Sequence, residues 1–204
     1  MREKIDCFLP CDDLSVAERT VSQLRTSKTV QNIFLLVSEV GECISDCRQL
    51  CVSNLTGSNT LMSIAENAKA DYALLVTKGT RLTLGQHSLD RMLRAASDSD
   101  AAMVYADHYS LEDGQQVRHP SIDYFPGSIR DDFDFVLLVK TSLLHTFAMQ
   151  AGEHDYQYAG LYALRLFLSR EGQLFHLNEF LYTEEETDLR ASSVKQFDYV
   201  NPRN

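Results

Sequence analysis

The stretch Ala70-Asp71-Tyr72-Ala73-Leu74-Leu75-Val76-Thr77-Lys78-Gly79-Thr80 decides the fold class. Tyr72 to Val76 runs without a polar break and stops at a loop that contains a glycine. A short apolar run bounded by turn residues is expected of a strand buried on both faces, as in a parallel sheet. Ile33 to Val37 repeats the pattern, Ile5 to Leu9 gives it again before Pro10, and Ala101 to Ala106 gives it before Asp107. Helical spacing fills the intervals. Val16, Val21 and Leu24 predict a helix from Ser15 to about Thr26, with Ser15 as N-cap and Glu18 completing a capping box. Leu61, Ile64, Ala65 and Ala68 form the inner face of a helix over Thr60 to Ala70, and Leu89, Met92, Leu93 and Ala96 that of a helix over Ser88 to Ala96. Strands alternating with helices predict an α/β fold with a mostly parallel mixed sheet and helices on both faces.

Beyond Asp107 the pattern changes. Leu111-Glu112-Asp113-Gly114-Gln115 reads as a hairpin turn, and Phe135 to Val139 as a strand or the start of a helix. Tyr156 to Arg170 predicts the longest helix and Leu174 to Leu181 a last strand. The acidic run Glu184-Glu185-Glu186 follows, then a polar stretch from Asp188 that is expected to be exposed. These divide the chain into a domain over 1–185 and a tail over 186–204, the latter compatible with the start of a longer polypeptide.

The 204 residues carry 29 acidic against 19 basic side chains, a formal charge of -10, which argues against a nucleic-acid-coating protein because phosphate binding needs a basic face. A nucleotide ligand needs only local donors. No apolar run approaches the ~20 residues of a membrane helix. No apolar segment of a signal peptide follows the charged N-terminus, so the expectation is a cytoplasmic protein. Five cysteines, an odd number, suit a reducing compartment. Cys43, Cys47 and Cys51 recur every fourth residue, one stripe of a helix; Leu50-Cys51-Val52 competes as a strand, and both readings stand open. The cysteines read as reduced thiols packing as small apolar groups, with no metal-ribbon spacing.

There is no GxGxxG, no Walker loop and no GxSxG elbow, so a dinucleotide oxidoreductase, a P-loop kinase and an α/β-hydrolase each lack their defining turn. In open α/β sheets ligands bind at the carboxyl ends of the strands. That rule nominates Cys11 to Asp13, Ser38-Glu39, Thr77 to Thr80 and Asp107-His108.

In their order and spacing, these segments resemble a family 2 glycosyltransferase of the GT-A fold. The resemblance is carried by Ser58-Asn59-Thr60 through Gly85, by Ile5 to Asp13, by Val37-Ser38-Glu39, and by Tyr162 to Leu166 with Asn178 to Tyr182. It covers residues 1 to about 185. The resemblance implies a three-layer α/β/α domain that binds a nucleotide-diphospho-sugar, a UDP-sugar foremost. Such an enzyme moves the sugar to a glycan or lipid-linked acceptor by in-line attack, inverting the anomeric carbon. The positions it assigns to the donor are Pro10, Cys11, Asp13, Ser38, Glu39, Asn59, Thr77, Lys78 and Gly79. In the family a DxD motif holds Mg²⁺ or Mn²⁺ against the diphosphate. Here Thr77-Lys78-Gly79 stands at that motif, with no carboxylate. Lys78 offers instead a point charge to the phosphates, or is a solvated loop lysine. The family's base position falls on Tyr158-Ala159, so the catalytic carboxylate is sought at Asp107, Asp132 or Asp155, with Asp131, Asp134 and Glu153 close in sequence. Two functions follow as expectations: a glycosyltransferase working without its usual metal ligands, or a non-catalytic binding or assembly domain on the same sheet. Self-association into a homo-oligomer is compatible with both.

Overall fold

The computed structural model describes residues 3–124, 134–151 and 156–185. Among these residues one sheet of nine strands runs through the molecule in the order β3-β2-β1-β4-β8-β6-β9-β5, with β7 attached to β6. The strands are β1 (Ile5–Pro10), β2 (Val30–Val37), β3 (Arg48–Cys51), β4 (Tyr72–Val76), β5 (Arg81–Leu84), β6 (Met103–Glu112), β7 (Gln115–His119), β8 (Val136–Lys140) and β9 (Leu174–Glu185). The helices are α1 (Leu14–Thr26), α2 (Ser58–Asn67), α3 (Ser88–Ser99), α4 (Thr141–Ala151) and α5 (Gly160–Glu171). None of them is long and apolar enough to cross a membrane.

Side chains on successive strand residues point to opposite faces, and both faces here are apolar. Cys7, Leu9, Ile33, Leu35, Leu74 and Val76 pack toward α1 and α3 with Val21, Leu24, Met92 and Ala96. Phe8, Phe34, Leu75, Leu137 and Tyr105 pack on the other face with Leu61 and Ile64 of α2, Leu144 of α4 and Leu164 of α5. Phe8 and Phe34 stack at 4.8 Å between ring centroids. This is the three-layer α/β arrangement expected from uninterrupted apolar runs, each fully buried leucine contributing about 1.5–3 kcal/mol. In the parallel part of the sheet a carboxyl group lies inside the strand layer. Asp6 is fully buried; it accepts from Asn32 Nδ2 at 2.7 Å and from the amides of Lys69 and Ala70 at 2.7 and 2.9 Å, fastening β1 to β2 and to the turn before β4.

The sheet is mixed to a greater degree than expected. β1 pairs in parallel with β2 and β4, β2 with β3, and β6 with β9. β8 runs antiparallel to both β4 and β6, β5 antiparallel to β9, and β7 antiparallel to β6. Other boundaries move for local reasons. The N-cap of α1 is Asp13, whose Oδ1 accepts from the Ser15 amide at 2.8 Å, so Ser15 lies inside the helix rather than capping it. Residues 43–47 are not helical; Cys51 closes β3, and the cysteine stripe gives way to a strand. Arg81 to Leu84, to which the sequence reading assigns no element, form β5. The hairpin turn at Asp113-Gly114 is present, both residues having positive φ. The run Val136 to Lys140 is a strand that leads directly into α4.

Candidate functional site

β1 is the strand at which the order of the sheet reverses. From it the chain moves outward to β2 and β3, then returns to the other side as β4. At such a switch point the loops after two neighbouring parallel strands part and leave room for a ligand. Here those loops are Cys11 to Asp13 after β1 and Thr77 to Thr80 after β4, with Ser38-Glu39 alongside after β2. The first two approach each other closely. A Cβ added at Gly79 would lie 3.8 Å from Asp12 Oδ2 and 3.9 Å from Pro10 Cβ. The Cys11 amide donates to the Leu36 carbonyl at 2.9 Å, holding the first loop against β2.

Pro10, Cys11, Asp13, Ser38, Glu39, Thr77, Lys78 and Gly79 thus share one rim. Pro10 and Cys11 are buried, while Asp13, Ser38, Glu39, Lys78 and Gly79 are exposed. Burial pushes the Cys11 thiol pKa up, with neighbouring Asp12 adding to the effect. Asp13 already serves α1: hydrogen bonds from the Ser15 side chain and amide hold its carboxyl below the usual range. Asn59 stands exposed in the first turn of α2. Asp132 and Asp155, with Asp131 and Glu153, lie outside the described residues.

Asp107 is not where the sequence suggests. β6 continues through it to Glu112, so it lies within a strand and is buried. β8 stands between β4 and β6, separating Asp107's strand from the Thr77 loop's. Asp107 Oδ1 accepts from the Ser121 amide at 2.8 Å and lies 2.7 Å from His176 Nε2. His176 Nδ1 lies 2.8 Å from Asp123 Oδ1. Both ring nitrogens of His176 therefore face a carboxylate. His176 also stacks on Tyr105 at 5.0 Å. Asp107 is thus bonded within the fold, to Ser121 and His176.

Because β8 is antiparallel, its beginning arrives at the rim that its neighbours' ends define, and it brings Asp134 and Phe135 there. The Thr77 amide donates to the Phe135 carbonyl at 2.9 Å, tying the β4 loop to that point. Asp134, 6% exposed, accepts from Tyr182 Oη at 3.2 Å and from Ser121 Oγ. His108 Nδ1 lies 3.3 Å from Asp134 Oδ1, too poorly aligned for a hydrogen bond, and its ring is stacked between His119 and Tyr182. Burial, reinforced by Asp134, pushes the Tyr182 hydroxyl well above its usual pKa. The β6–β9 ladder is irregular here: Ala106 pairs with Leu177, Asp107 with Phe180 and His108 with Tyr182. The extra β9 residues form a bulge, a device that re-aims side chains and recurs beside functional sites.

Glu184 completes the rim. Within the acidic run, Glu184 belongs to β9 and is buried. Lys78 Nζ approaches its two oxygens at 3.3 and 3.5 Å and sits 4.7 Å from the centroid of the Phe135 ring. Glu185 pairs with Arg81 at 3.6 Å and Arg19 at 3.9 Å. Neither glutamate is distinguished in sequence, because their cationic partners all lie more than a hundred positions away.

The side chains at the DxD position do not suit a hard divalent cation. Thr77, Lys78 and Gly79 bring no carboxylate, and an ammonium group occupies the loop. Among the described residues no group of three or more His, Cys, Asp or Glu side chains is arranged to hold a metal ion. A cavity of about 440 Å³ opens elsewhere, at the start of β9, lined by Asp123, Tyr124, Ser169, Gln173, Phe175 and His176 among others. No family model matches the chain, and no curated protein matches it.

Proposed function

We propose that the chain is a glycosyltransferase-like protein of the GT-A type. It binds a nucleotide-diphospho-sugar, a UDP-sugar foremost, at the rim formed by the loops after β1, β2 and β4, and passes the sugar to a glycan or lipid-linked acceptor. The observation that carries this reading is the approach of Gly79 to Pro10 and Asp12 across the switch point of the sheet. Of the donor positions implied by the resemblance, Pro10, Cys11, Asp13, Thr77, Lys78 and Gly79 lie at the carboxyl ends of the adjacent parallel strands β1 and β4, whereas Asn59 lies in α2. Ser38 and Glu39 lie toward the base and ribose, and Thr77 to Gly79 toward the diphosphate. No step is routed through Mg²⁺ or Mn²⁺, because the side chains at the DxD position do not fit either ion.

A second reading has its own support. Asp107 is bonded to Ser121 and His176, and Asp134 to Ser121 and Tyr182, so both described candidates for a base are already engaged. That favours a domain that binds the nucleotide-sugar without transferring it. Calorimetry against UDP-sugars, with and without Mn²⁺, tests the common element: no binding in either condition removes both readings. Sugar transfer or UDP-sugar hydrolysis abolished by Glu39→Ala selects the enzyme over the binding domain.

A further inference from the structure

Resting on the nucleotide-sugar reading of the rim, we propose that Lys78 is the group that meets the diphosphate without a metal ion, and that Glu184 is its built-in counter-anion, displaced when the ligand binds.

The geometry has three parts. First, the Lys78 ammonium is held from several sides: Glu184 at 3.3 and 3.5 Å, the Phe135 ring at 4.7 Å, and the Thr77–Phe135 backbone bond that fixes the loop. Second, the pair is asymmetric. The lysine side chain is 53% exposed while that of Glu184 is 8% exposed, so an anion from solvent reaches the ammonium and not the carboxylate. Third, Glu184 has somewhere to turn. Its Oε2 lies 3.9 Å from His108 Nε2, and its backbone is fixed between β5 and β6, opposite Leu82 and Ser110.

A diphosphate concentrates negative charge that must be offset where it binds. Lysine does this as a compact point charge and is a familiar phosphate ligand in that role. In the free protein Glu184 already neutralises that charge. Binding therefore exchanges one anionic partner of Lys78 for another, and the affinity observed is what remains after Glu184 has been displaced. The ligand class is set by the same chemistry: a diphosphate carrying more charge than one carboxylate.

Removing the charge of this acidic neighbour while keeping its shape therefore tightens binding. Glu184→Gln keeps the size and an acceptor oxygen for Lys78 but removes the competing charge. Calorimetry in the presence of EDTA measures pyrophosphate and UDP binding to the wild type, to E184Q and to the double variant E184Q/K78M, each checked for folding by circular dichroism. The double variant buries no unpaired charge. Expected is metal-independent binding by the wild type, at least ~5-fold tighter in E184Q, the low end of coupling between linked sites, and loss of that gain in the double variant. Equal pyrophosphate affinity in all three proteins, no pyrophosphate binding by any of them, or binding that arises only with Mn²⁺ overturns the proposal. The reading beneath it fails separately. If pyrophosphate follows the expected order while UDP and UDP-sugars bind no better than pyrophosphate, the anion site stands and the nucleotide-sugar reading falls. If UDP-sugars bind with the same affinity in all three proteins, that reading stands and the role of Lys78 and Glu184 falls.

Discussion

The two halves of the sheet are built on different principles. The half formed by β3, β2, β1 and β4 is wholly parallel, and its central strands β1 and β4 are buried along their length. The half formed by β8, β6, β9 and β5, with β7 outside it, is largely antiparallel and threaded by buried polar groups: Asp107 with His176, Asp134 with Tyr182, Glu184 with Lys78. Apolar packing is non-directional and fixes where strand ends lie, whereas hydrogen-bonded pairs fix side-chain direction. The parallel half therefore places the loops of the rim, and the mixed half aims the charges that face it.

The largest expected effect tests the parallel half. Phe8 is fully buried at the centre of β1 and stacked on Phe34. Phe8→Ala should cost about 3–5 kcal/mol, read as a drop in the urea midpoint with no change in the shape of the stability–pH profile. A pH-dependent loss would break the distinction between the halves. Next in size is Gly160→Ala at the junction of α2 and α5. A Cβ there would lie 2.7 Å from Gly57 C, Ser58 N and Thr56 O, all backbone atoms that no rotamer can move. Overpacking of this kind costs about 1–3 kcal/mol, and the urea midpoint should fall accordingly. A neutral result would show that the α2–α5 junction is looser than its backbone spacing implies.

The same division governs what was legible in the sequence. Ile5 to Leu9, Ile33 to Val37 and Tyr72 to Val76 are strands because each is an apolar run bounded by turn residues, a local property. The mixed half depends on pairing between distant segments. Nothing within Val136 to Lys140 specifies that it enters antiparallel between β4 and β6. Asp107 resembles a strand-end residue until β7 and β9 supply partners that carry β6 to Glu112. Glu184 belongs to an acidic run until Lys78 arrives from over a hundred positions away. Of the rim, the loops after β1, β2 and β4 were legible, since the rule for strand ends needs only strand order. Phe135 and Glu184 were not, and Asp134 was one of several carboxylates that sequence alone does not rank.

Tyr182→Phe probes the mixed half at intermediate size. The ring still stacks on His108, but Asp134 loses the donor at 3.2 Å. A buried acceptor deprived of a partner costs about 1–3 kcal/mol. The sign with pH is also set. Burial and Asp134 raise the Tyr182 pKa above its usual 10.0, so its contribution is complete below the unfolded value and lost as pH rises through the folded one. Y182F should flatten the alkaline limb of the stability profile, and phenolate absorbance should show one fewer late-titrating tyrosine than in the wild type, where Tyr72, pushed up to about 12 chiefly by burial, remains another. An unchanged alkaline limb would mean that this hydroxyl does not act as a buried donor.

The smallest effect separates buried polar attachment from exposed. Glu179, in the β9 bulge, receives Arg91 of α3 in a forked contact, Nε at 2.9 and 3.0 Å and Nη2 at 2.6 Å, yet the side chains are 41% and 46% exposed. Solvent screens such a pair, so Glu179→Gln should cost less than ~1 kcal/mol at neutral pH despite its favourable geometry. The hydrogen bonds from Arg91 hold the Glu179 pKa below its usual 4.5. A depressed carboxylate pKa contributes stability above the unfolded value and loses it as pH falls through the folded one. Wild type and E179Q should therefore differ slightly near neutrality, converge in acid below the folded pKa, and converge also at high salt, when the Debye length falls to about 3 Å at 1 M. Urea titrations at these three conditions measure it. If E179Q instead costs as much as Y182F and resists salt, the bulge depends on this clasp, and the contrast between buried and exposed polar attachment in the mixed half is lost.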